Sequence, residues 1–336
     1  MQRVVVVGTG SWGLALAQHL AALDNDVAVI GRRHEVVDEI NRNRTSVNLP
    51  QANFNDNVTA YTFDNISDLS GDRRVENLVL AVPSYALEYG CNIVNNLSPN
   101  KVVHVIKGFE PTTLMQPSEY IHKKTKIDPK NIAYLTGPTF ADEVALGQPT
   151  ACVIAGEKST TTYFQKMFTD TQFRCYTSDD IVGAQLGGAL KNILAIAYGM
   201  CIGLESSELN LGENAKAAVI SRGIAEVARL GKAYGANPYT FMGLSGIGDL
   251  LLTCASSKSR NRQAGELYGR GLTTKEIIEK LDLVPEGITT AKSIVKISKA
   301  KKVEMPICEA VKQIVEGKIQ PKQAVGLLLS RPVGNE

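Results

Sequence analysis

The strongest constraint on the fold of this chain is a glycine-rich turn that directly follows the apolar run at residues 4–7. The turn reads Gly8-Thr9-Gly10-Ser11-Trp12-Gly13 and opens a helical pattern. In such a strand–turn–helix unit the first glycine permits the tight turn, the second lets the backbone approach a pyrophosphate, and the third lets the helix pack on the strand. The amides of the helix N-terminus then face the phosphates. This context predicts a dinucleotide site, the alternative being a glycine-rich turn without a ligand.

Short apolar runs alternate with helical patterns through the first half of the chain, which predicts a doubly wound, largely parallel sheet. The predicted strands are 3–7, 26–30, 77–82, 101–106 and 131–135, with a further strand at 150–155. Beyond about residue 180 we predict helices at 181–204, 213–234, 274–281, 289–299 and 307–316, with a glycine-rich turn at 245–248. We therefore expect an α/β doubly wound (Rossmann) N-terminal domain at 1–180 and an all-α C-terminal domain at 181–336, with the catalytic cleft between them.

The charge balance excludes a protein that binds nucleic acid through a global basic field. Lys and Arg number 36 against 34 Asp and Glu, so any anion site must be local. The six cysteines show no CxxC spacing, which is typical of reduced thiols in a cytoplasmic protein, and we expect no metal site. The apolar stretch at 183–204 carries Gln185, Lys191 and Asn192, so we expect a buried helix there and no membrane segment.

Two arginines, Arg32 and Arg33, follow the second predicted strand. An NAD-specific site usually has Asp or Glu at this position for the ribose hydroxyls. Guanidinium groups instead pair with phosphate in bidentate fashion, so the arginines favour NADP(H) over NAD(H). The alternative is a solvated basic pair on a loop.

Three segments place unusual residues where predicted strands end, and ligands of doubly wound sheets bind at such ends. The segments are Val82-Pro83-Ser84, Ile106-Lys107-Gly108 and Thr136-Gly137-Pro138-Thr139-Phe140. The ammonium of Lys107 would project into the crevice, although a lysine at a strand end is as often merely solvated.

Lys191 stands inside the apolar helix predicted at 181–204. A buried ammonium without a partner is costly, so this lysine needs a carboxylate or a ligand. Desolvation and a neighbouring cation such as Lys107 would lower its pKa, and a lysine becomes a general acid/base near neutral pH in this way. A structural salt bridge within the helical domain is the alternative.

Asp249 and Thr253 are four residues apart, hence on one face if a helix begins there. The carboxylate of Asp249 would satisfy Lys191 or hold a substrate hydroxyl, with a helix N-cap as the alternative. The segment Ser259-Arg260-Asn261-Arg262 follows, and its side chains with local amides suit a small phosphorylated substrate.

Seven spaced motifs resemble those of the bacterial-type NAD(P)-dependent glycerol-3-phosphate dehydrogenases, over essentially the whole chain. They are Gly10-Ser11-Trp12-Gly13, Val82-Pro83-Ser84, Lys107-Gly108, Gly137-Pro138-Thr139-Phe140, Leu186-Gly187-Gly188-Ala189-Leu190-Lys191-Asn192, Gly248-Asp249-Leu250 and Ser259-Arg260-Asn261-Arg262. The resemblance implies reduction of dihydroxyacetone phosphate to sn-glycerol 3-phosphate with NADPH or NADH, which feeds phospholipid synthesis.

The resemblance also implies residue roles. It makes Lys191 the proton-transfer residue, with Asn192 and Thr253 in support. It implies substrate contacts from Lys107, Gly137, Thr139, Lys191, Asp249, Ser259, Arg260 and Asn261. Beside the glycines of the turn, Gly8, Gly10 and Gly13, it implies cofactor contacts from Ser11, Trp12, Arg32, Arg33, Lys107, Ala141, Arg260, Val284 and Glu286.

The chain departs from the family pattern in two places. Pro285, between the last two cofactor residues, is atypical. The link at 204–213 is a few residues longer than the family's usual connection, and we expect this insertion to form a surface loop.

Two other functions stay open at this point. A β-hydroxyacid or ketopantoate-type dehydrogenase also combines a dinucleotide fold, a helical domain and a lysine, and the cradle at 259–261 does not distinguish its carboxylate from a phosphate. A non-catalytic, NADP-binding redox sensor would not need a buried proton donor, and it would require a partner-binding module that the sequence lacks. We expect a homodimer formed through the helical domain and no nucleic-acid partner.

Overall fold

The computed structural model describes residues 2–70, 75–205, 209 and 211–333. The chain forms two compact units, Met1–Ile181 and Val182–Glu336. Of the predicted insertion at 204–213, residues 206–208 and 210 lie outside the described residues. At its start, the carboxylate of Glu205 pairs with the ammonium of Lys216 at 2.6 Å.

The first unit is an eight-stranded sheet with helices. Its strands are β1 (Arg3–Val7), β2 (Asp26–Gly31), β3 (Val58–Thr62), β4 (Asn77–Leu80), β5 (Lys101–His104), β6 (Ile132–Thr136), β7 (Thr150–Gly156) and β8 (Phe173–Ser178). Its α-helices are α1 (Ser11–Ala22), α2 (His34–Asn43), α3 (Leu87–Leu97), α4 (Pro117–Lys124), α5 (Ala141–Ala145) and α6 (Lys158–Phe168).

Strand β1 is an interior strand, third in the sheet order β3-β2-β1-β4-β5-β6-β7-β8. Its valines are buried on both faces, Val4 and Val6 in one core and Val5 and Val7 in the other, as a central parallel strand requires. Because β1 pairs with β2 on one side and β4 on the other, the strand order reverses there. Doubly wound sheets bind ligands at such a switch point. The predicted fold class is confirmed.

Three features of this sheet differ from the sequence expectations. Strands β3 and β8 were not predicted, because each lies at an edge of the sheet and alternates buried with partly or fully exposed residues instead of forming an apolar run. Strand β7 runs antiparallel to β6. The connection between them contains only the five-residue helix α5, which packs on the same core as α1.

Within the described residues, the regular secondary structure of the second unit is helical. The α-helices are α7 (Ile181–Gly203), α8 (Glu213–Ala233), α9 (Asp249–Ala255), α10 (Arg260–Gly269), α11 (Thr274–Leu281), α12 (Glu286–Ala300), α13 (Pro306–Val315) and α14 (Pro321–Leu329). The predicted glycine-rich turn at 245–248 is wrong, because Leu244–Gly248 forms a π-helical turn that continues into α9. Gly246 of this turn allows close packing, because a Cβ at this position would lie 2.1 Å from the carbonyl oxygen of Phe241.

Helices α7 and α10 meet backbone to backbone along a glycine seam, formed by Gly199 and Gly203 of α7 and Gly265 and Gly269 of α10. A Cβ on Gly199 would lie 2.1 Å from the carbonyl oxygen of Arg262, and one on Gly265 would lie 2.1 Å from that of Ile196. A Cβ on Gly203 would lie 2.3 Å from the carbonyl oxygen of Glu266, and one on Gly269 would lie 2.6 Å from that of Met200. Contacts therefore advance along both helices in the same direction, so α7 and α10 run parallel.

Helix α7 also has the length and mean hydropathy, 1.4, of a membrane-crossing helix, and within the described residues no other helix meets both criteria. However, 83% of its most apolar window is buried within the protein. This agrees with the expectation of a buried core helix.

Candidate active site

The glycine turn after β1 leaves open space at one position and none at the two others. Gly8 has a φ of +122°, and a Cβ there would lie 2.4 Å from the carbonyl oxygen of Ala81, which follows β4. A Cβ on Gly13 would lie 2.4 Å from the oxygen of Gly8. A Cβ on Gly10 would meet nothing within 4 Å. The turn is thus tightly packed against β4 while its middle glycine borders free space, which fits a pyrophosphate approaching the backbone.

The N-terminus of α1 lacks the groups that usually satisfy a helix start. Its N-cap, Gly10, has no side chain to bond the first amides, and the first turn contains no acidic residue. Ser11 and Trp12 are half-buried in that turn. The positive end of the helix dipole and these amides suit a bound phosphate, so the residues present fit a dinucleotide.

The basic pair Arg32 and Arg33 lies directly beyond β2 and is exposed. Arg33 is the N-cap residue of α2, and its Nη2 donates to Oδ1 of Asn48 at 3.0 Å. Asn48 also donates to the carbonyl oxygen of Thr9 in the glycine turn, at 2.7 Å. No local motif in the sequence marks Asn48, so the sequence alone does not predict its role in this arrangement.

The predicted residues of the first unit lie after two neighbouring parallel strands, β5 and β6. Lys107 is half-buried and follows β5, which ends at His104 and is shorter than predicted. Gly137 follows β6, and its carbonyl oxygen accepts a hydrogen bond from the hydroxyl of Thr139 at 3.3 Å. Ala141 is the first residue of α5. Because carboxyl ends of parallel strands share an edge, these residues lie along the edge that carries the glycine turn.

Lys191 is the centre of a buried polar cluster in the second unit. Its ammonium donates to the carboxylate of Asp249 and, at 3.0 Å, to the hydroxyl of Thr253. The hydroxyl of Thr253 donates in turn to the carbonyl oxygen of Asp249 at 2.6 Å. Lys191 is 9% exposed and Asp249 is 0% exposed. The predicted pairing of this lysine with a carboxylate is present, and Asp249 does not serve as an N-cap, because the helical conformation already includes Gly248 before it.

The thiol of Cys254 lies next to this cluster in sequence but has a different chemistry. Burial raises the pKa of Cys254 to about 12, although the charge of Lys191 opposes the shift. A thiol with that pKa is protonated at neutral pH and is a poor nucleophile. Cys254 is therefore not a candidate nucleophile of this cluster. The predicted influence of Lys107 on the pKa of Lys191 stays a prediction.

A second hydrogen-bonded group follows one residue along α7. The side-chain amide of Asn192 donates to the carboxylate of Glu286 and accepts from the amide of Asn261, each at 3.0 Å. The other end of the Asn261 amide accepts from the backbone N–H of Gly287 at 2.9 Å. The structure thus brings Asn192, Asn261 and Glu286 together at the N-terminus of α12, whereas Val284 lies before that helix and is 50% exposed.

The segment predicted as a phosphate cradle forms the start of α10. The hydroxyl of Ser259 caps the helix by accepting from the backbone N–H of Arg262 at 3.2 Å. The guanidinium of Arg262 bonds Glu266 and the carbonyl oxygen of Ala255, so it supports the local structure. Arg260 is exposed and remains the cation of this segment that can meet an anion. Fewer side chains of this segment are therefore available to bind an anion than the sequence predicted.

Both units match one protein family. The sequence pattern described as the NAD-dependent glycerol-3-phosphate dehydrogenase N-terminus matches residues 3–162. The pattern described as the C-terminus of the same family matches residues 180–326. Together the two matches cover the glycine turn, the strand ends and the lysine cluster.

Individual relatives agree with this. A glycerol-3-phosphate dehydrogenase [NAD(P)+] of Shouchella clausii is 41% identical over 337 residues, which cover 98% of this chain and 96% of that protein. One of Oceanobacillus iheyensis is 40% identical, over 98% of this chain and 94% of that protein. The crystal structure of a glycerol-3-phosphate dehydrogenase from Coxiella burnetii superposes with a TM-score of 0.87 at 32% identity and covers 98% of this chain and 99% of its own.

Proposed function

Because the chain belongs to the NAD-dependent glycerol-3-phosphate dehydrogenase family, we propose that Lys191 is its proton-transfer residue in the reduction of dihydroxyacetone phosphate. The activity is the reversible, NAD(P)H-dependent conversion of that ketone to sn-glycerol 3-phosphate, a precursor of glycerophospholipids. When bound, the reduced nicotinamide supplies the hydride that the carbonyl carbon receives. The observation that supports the assignment is the buried ammonium held by Asp249 and Thr253.

The cluster explains how a lysine performs this step. As ammonium, Lys191 polarises the carbonyl oxygen and delivers a proton to it as the alcohol forms. In the reverse direction the neutral amine takes the proton from the alcohol. Asp249 and Thr253 fix the position of Nζ, so orientation is set before the substrate arrives. The carboxylate of Asp249 also stabilises the ammonium when it forms again.

We propose that Arg260 anchors the substrate phosphate. Its guanidinium is exposed at the N-terminus of α10, where the helix dipole also favours an anion. Ser259 and Asn261 flank it, and Lys107, Gly137 and Thr139 of the first unit complete the proposed set of substrate contacts. The phosphate would hold the ketone in one orientation and so decide which face of the carbonyl is reduced.

In the proposed division of labour, residues 1–180 bind the dinucleotide and residues 181–336 supply the proton donor. Gly8, Gly10, Ser11, Trp12 and Gly13 would hold the pyrophosphate. Arg32 and Arg33 would meet a 2′-phosphate, which favours NADPH over NADH. The remaining proposed cofactor contacts are Lys107, Ala141, Arg260, Val284 and Glu286.

We also propose a cytoplasmic homodimer. The six cysteines are free and buried, as in proteins of a reducing compartment. In the second unit Tyr239, Met242, Leu327 and Leu329 are exposed, and large apolar side chains of this kind are what a subunit contact covers. Sedimentation of the purified protein would give a monomer mass if this part of the proposal were wrong.

Replacement of Lys191 tests the central assignment. We expect Lys191→Ala to lower kcat for dihydroxyacetone phosphate by about 10²–10⁴-fold, the usual contribution of a general acid, while NADPH binding measured by fluorescence titration is retained. Lys216→Ala is the matched control, because Lys216 is also buried and paired with carboxylates, but on α8. It should keep kcat within a few-fold of the parent. Near-normal turnover in Lys191→Ala would remove this lysine from the mechanism.

A further inference from the structure

Asn48 connects the glycine turn to the basic pair of the proposed coenzyme site. Its Oδ1 accepts from Nη2 of Arg33 at 3.0 Å, and its Nδ2 donates to the carbonyl oxygen of Thr9 at 2.7 Å. Its backbone carbonyl oxygen accepts from the hydroxyl of Ser11, also at 2.7 Å. One residue, distant in sequence from all three partners, therefore contacts both sides of the site.

The backbone around Asn48 is well anchored. Its neighbours Ser46 and Leu49 are 1% and 2% exposed, and its own N–H donates to the hydroxyl of Ser46 at 3.3 Å. The N–H of Val47 donates to the carboxylate of Glu39 in α2 at 3.1 Å. Asn48 thus has a firm position from which to hold the exposed, flexible side chain of Arg33.

The hydrogen bonds also determine which residue type fits. A guanidinium can only donate and a backbone carbonyl can only accept, so the amide of Asn48 has one orientation, with Oδ1 towards Arg33 and Nδ2 towards Thr9. Aspartate would keep the first contact and lose the second. It would also place a negative charge beside the guanidinium.

We propose that Asn48 is a positioning residue for coenzyme selectivity, holding the guanidinium of Arg33 beside the glycine turn where a 2′-phosphate would bind. This rests on the proposed function, in which Arg33 meets that phosphate. A long arginine side chain loses rotamer freedom when it binds an anion, and a prior hydrogen bond reduces this loss. Selection of NADPH over NADH therefore depends on an uncharged residue outside the basic pair.

The test is Asn48→Asp in the full-length protein, with kcat and KM measured for NADPH and for NADH. The new carboxylate pairs with Arg33 and repels the 2′-phosphate, so the ratio of kcat/KM for NADPH to that for NADH should fall about tenfold or more, mainly through the KM for NADPH. Asn55→Asp is the matched control. Asn55 is exposed, bonds Gln18 and undergoes the same change of charge. Its ratio should stay at the parent value.

Two further variants separate failure of this inference from failure of the proposed function. Asn48→Ala should lower the ratio less than Asn48→Asp, because it removes both hydrogen bonds without adding a charge. Arg33→Ala should lower it as well. If Arg33→Ala lowers the ratio and both Asn48 variants leave it unchanged, the inference is overturned and the role of Arg33 stands.

If Arg33→Ala also leaves the ratio unchanged, the proposed contact of Arg33 with the 2′-phosphate fails first. A rise in NADPH preference for Asn48→Ala would mean that the amide restrains Arg33 from the phosphate, which also overturns the inference. An equal loss of kcat/KM for both coenzymes in Asn48→Asp would assign Asn48 to the folding of the turn and not to selectivity.

Discussion

The glycine turn of the first unit and the lysine cluster of the second are built from different parts of the polypeptide. The turn presents main-chain amides, and its tight packing and the free space beside it depend on the absence of side chains at Gly8, Gly10 and Gly13. The cluster is made of side chains whose charges balance one another in a buried place. A site made of backbone is damaged when atoms are added, and a site made of buried charges is damaged when atoms are removed.

The two constructions also differ in how far they reach along the chain. The turn occupies a few consecutive residues, whereas Lys191 meets partners 58 and 62 positions away. Substitutions in the two regions should therefore differ in size and in kind. Two predictions test this difference between the regions, and a third compares the units that contain them.

The largest effect is expected from Asp249→Ala. It leaves the buried ammonium of Lys191 without its carboxylate, and removal of one partner of a buried ion pair typically costs about 3–5 kcal/mol of the free energy of unfolding. Urea denaturation measures this, and kcat should fall as well. The double variant Lys191→Met with Asp249→Leu should regain most of the stability but no activity, since an apolar pair can replace a buried ion pair. A double variant as unstable as Asp249→Ala would contradict the ion-pair explanation.

A smaller effect is expected from adding one methyl group to the glycine turn. Gly8→Ala forces a φ of +122° on a residue with a Cβ and a contact of 2.4 Å with the oxygen of Ala81, so we expect a loss of about 1–3 kcal/mol in stability. Gly10→Ala has open space and a φ of −72°, so its stability should not change, while its Kd for NADPH should rise. Calorimetry and fluorescence titration on both variants distinguish a packing glycine from a binding one. Unchanged NADPH affinity in Gly10→Ala would show that the free space is not the pyrophosphate position.

The smallest effect concerns pH, to which one buried group of each unit, His104 in the first and Glu226 in the second, should respond in opposite directions. Burial lowers the pKa of His104 in β5 to about 3. Within the described residues neither ring nitrogen has a hydrogen-bond partner, and the ring stacks on Tyr134 at 4.8 Å between centroids. The unfolded chain binds a proton near pH 6.5 that the folded chain does not, so this contribution is full above that pH and is lost as the pH falls towards 3. Burial raises the pKa of Glu226 in α8, so its contribution is present at low pH and is lost as the pH rises through the raised value.

We therefore expect His104→Phe to reduce the loss of stability between pH 7 and pH 5.5 by about 1 kcal/mol. Hydrogen exchange of peptides from each unit, in urea at both pH values, reads the two units separately. Glu226→Gln should remove the loss of stability of the second unit that begins as the pH rises above 4.5, and should leave the first unit unchanged. A parent-like slope in His104→Phe would mean that His104 does not titrate differently in the folded and unfolded states.

The sequence predicts the backbone-built region better than the side-chain-built one. The valine run and the glycines predict β1, the turn and α1 because the physical requirements are local. The edge strands β3 and β8 escape prediction because an exposed face breaks their apolar pattern. The sequence at the start of α10 predicts an anion cradle, because it does not show that the hydroxyl of Ser259 is engaged as a helix cap.

Long-range partners set the limit of prediction in the second unit. The burial of Lys191 indicates that a carboxylate is needed, and Asp249 was a candidate, but the hydrogen bonds from Asn192 to Glu286 and from Asn261 to Asn192 have no local pattern. The same holds for Asn48 in the first unit. Such contacts depend on the relative position of elements far apart in the chain.

The parallel glycine seam fixes the position of α7 relative to α10 along the helix axes. Asn192 lies two helical turns before the seam on α7, and Asn261 lies one turn before it on α10, so the backbone contact determines the position of their hydrogen bond. A slide of one residue, about 1.5 Å, would bring a side chain against a carbonyl oxygen. A natural variant that has lost activity with every polar residue of the site intact should therefore be examined first for a substitution at Gly199, Gly203, Gly265 or Gly269.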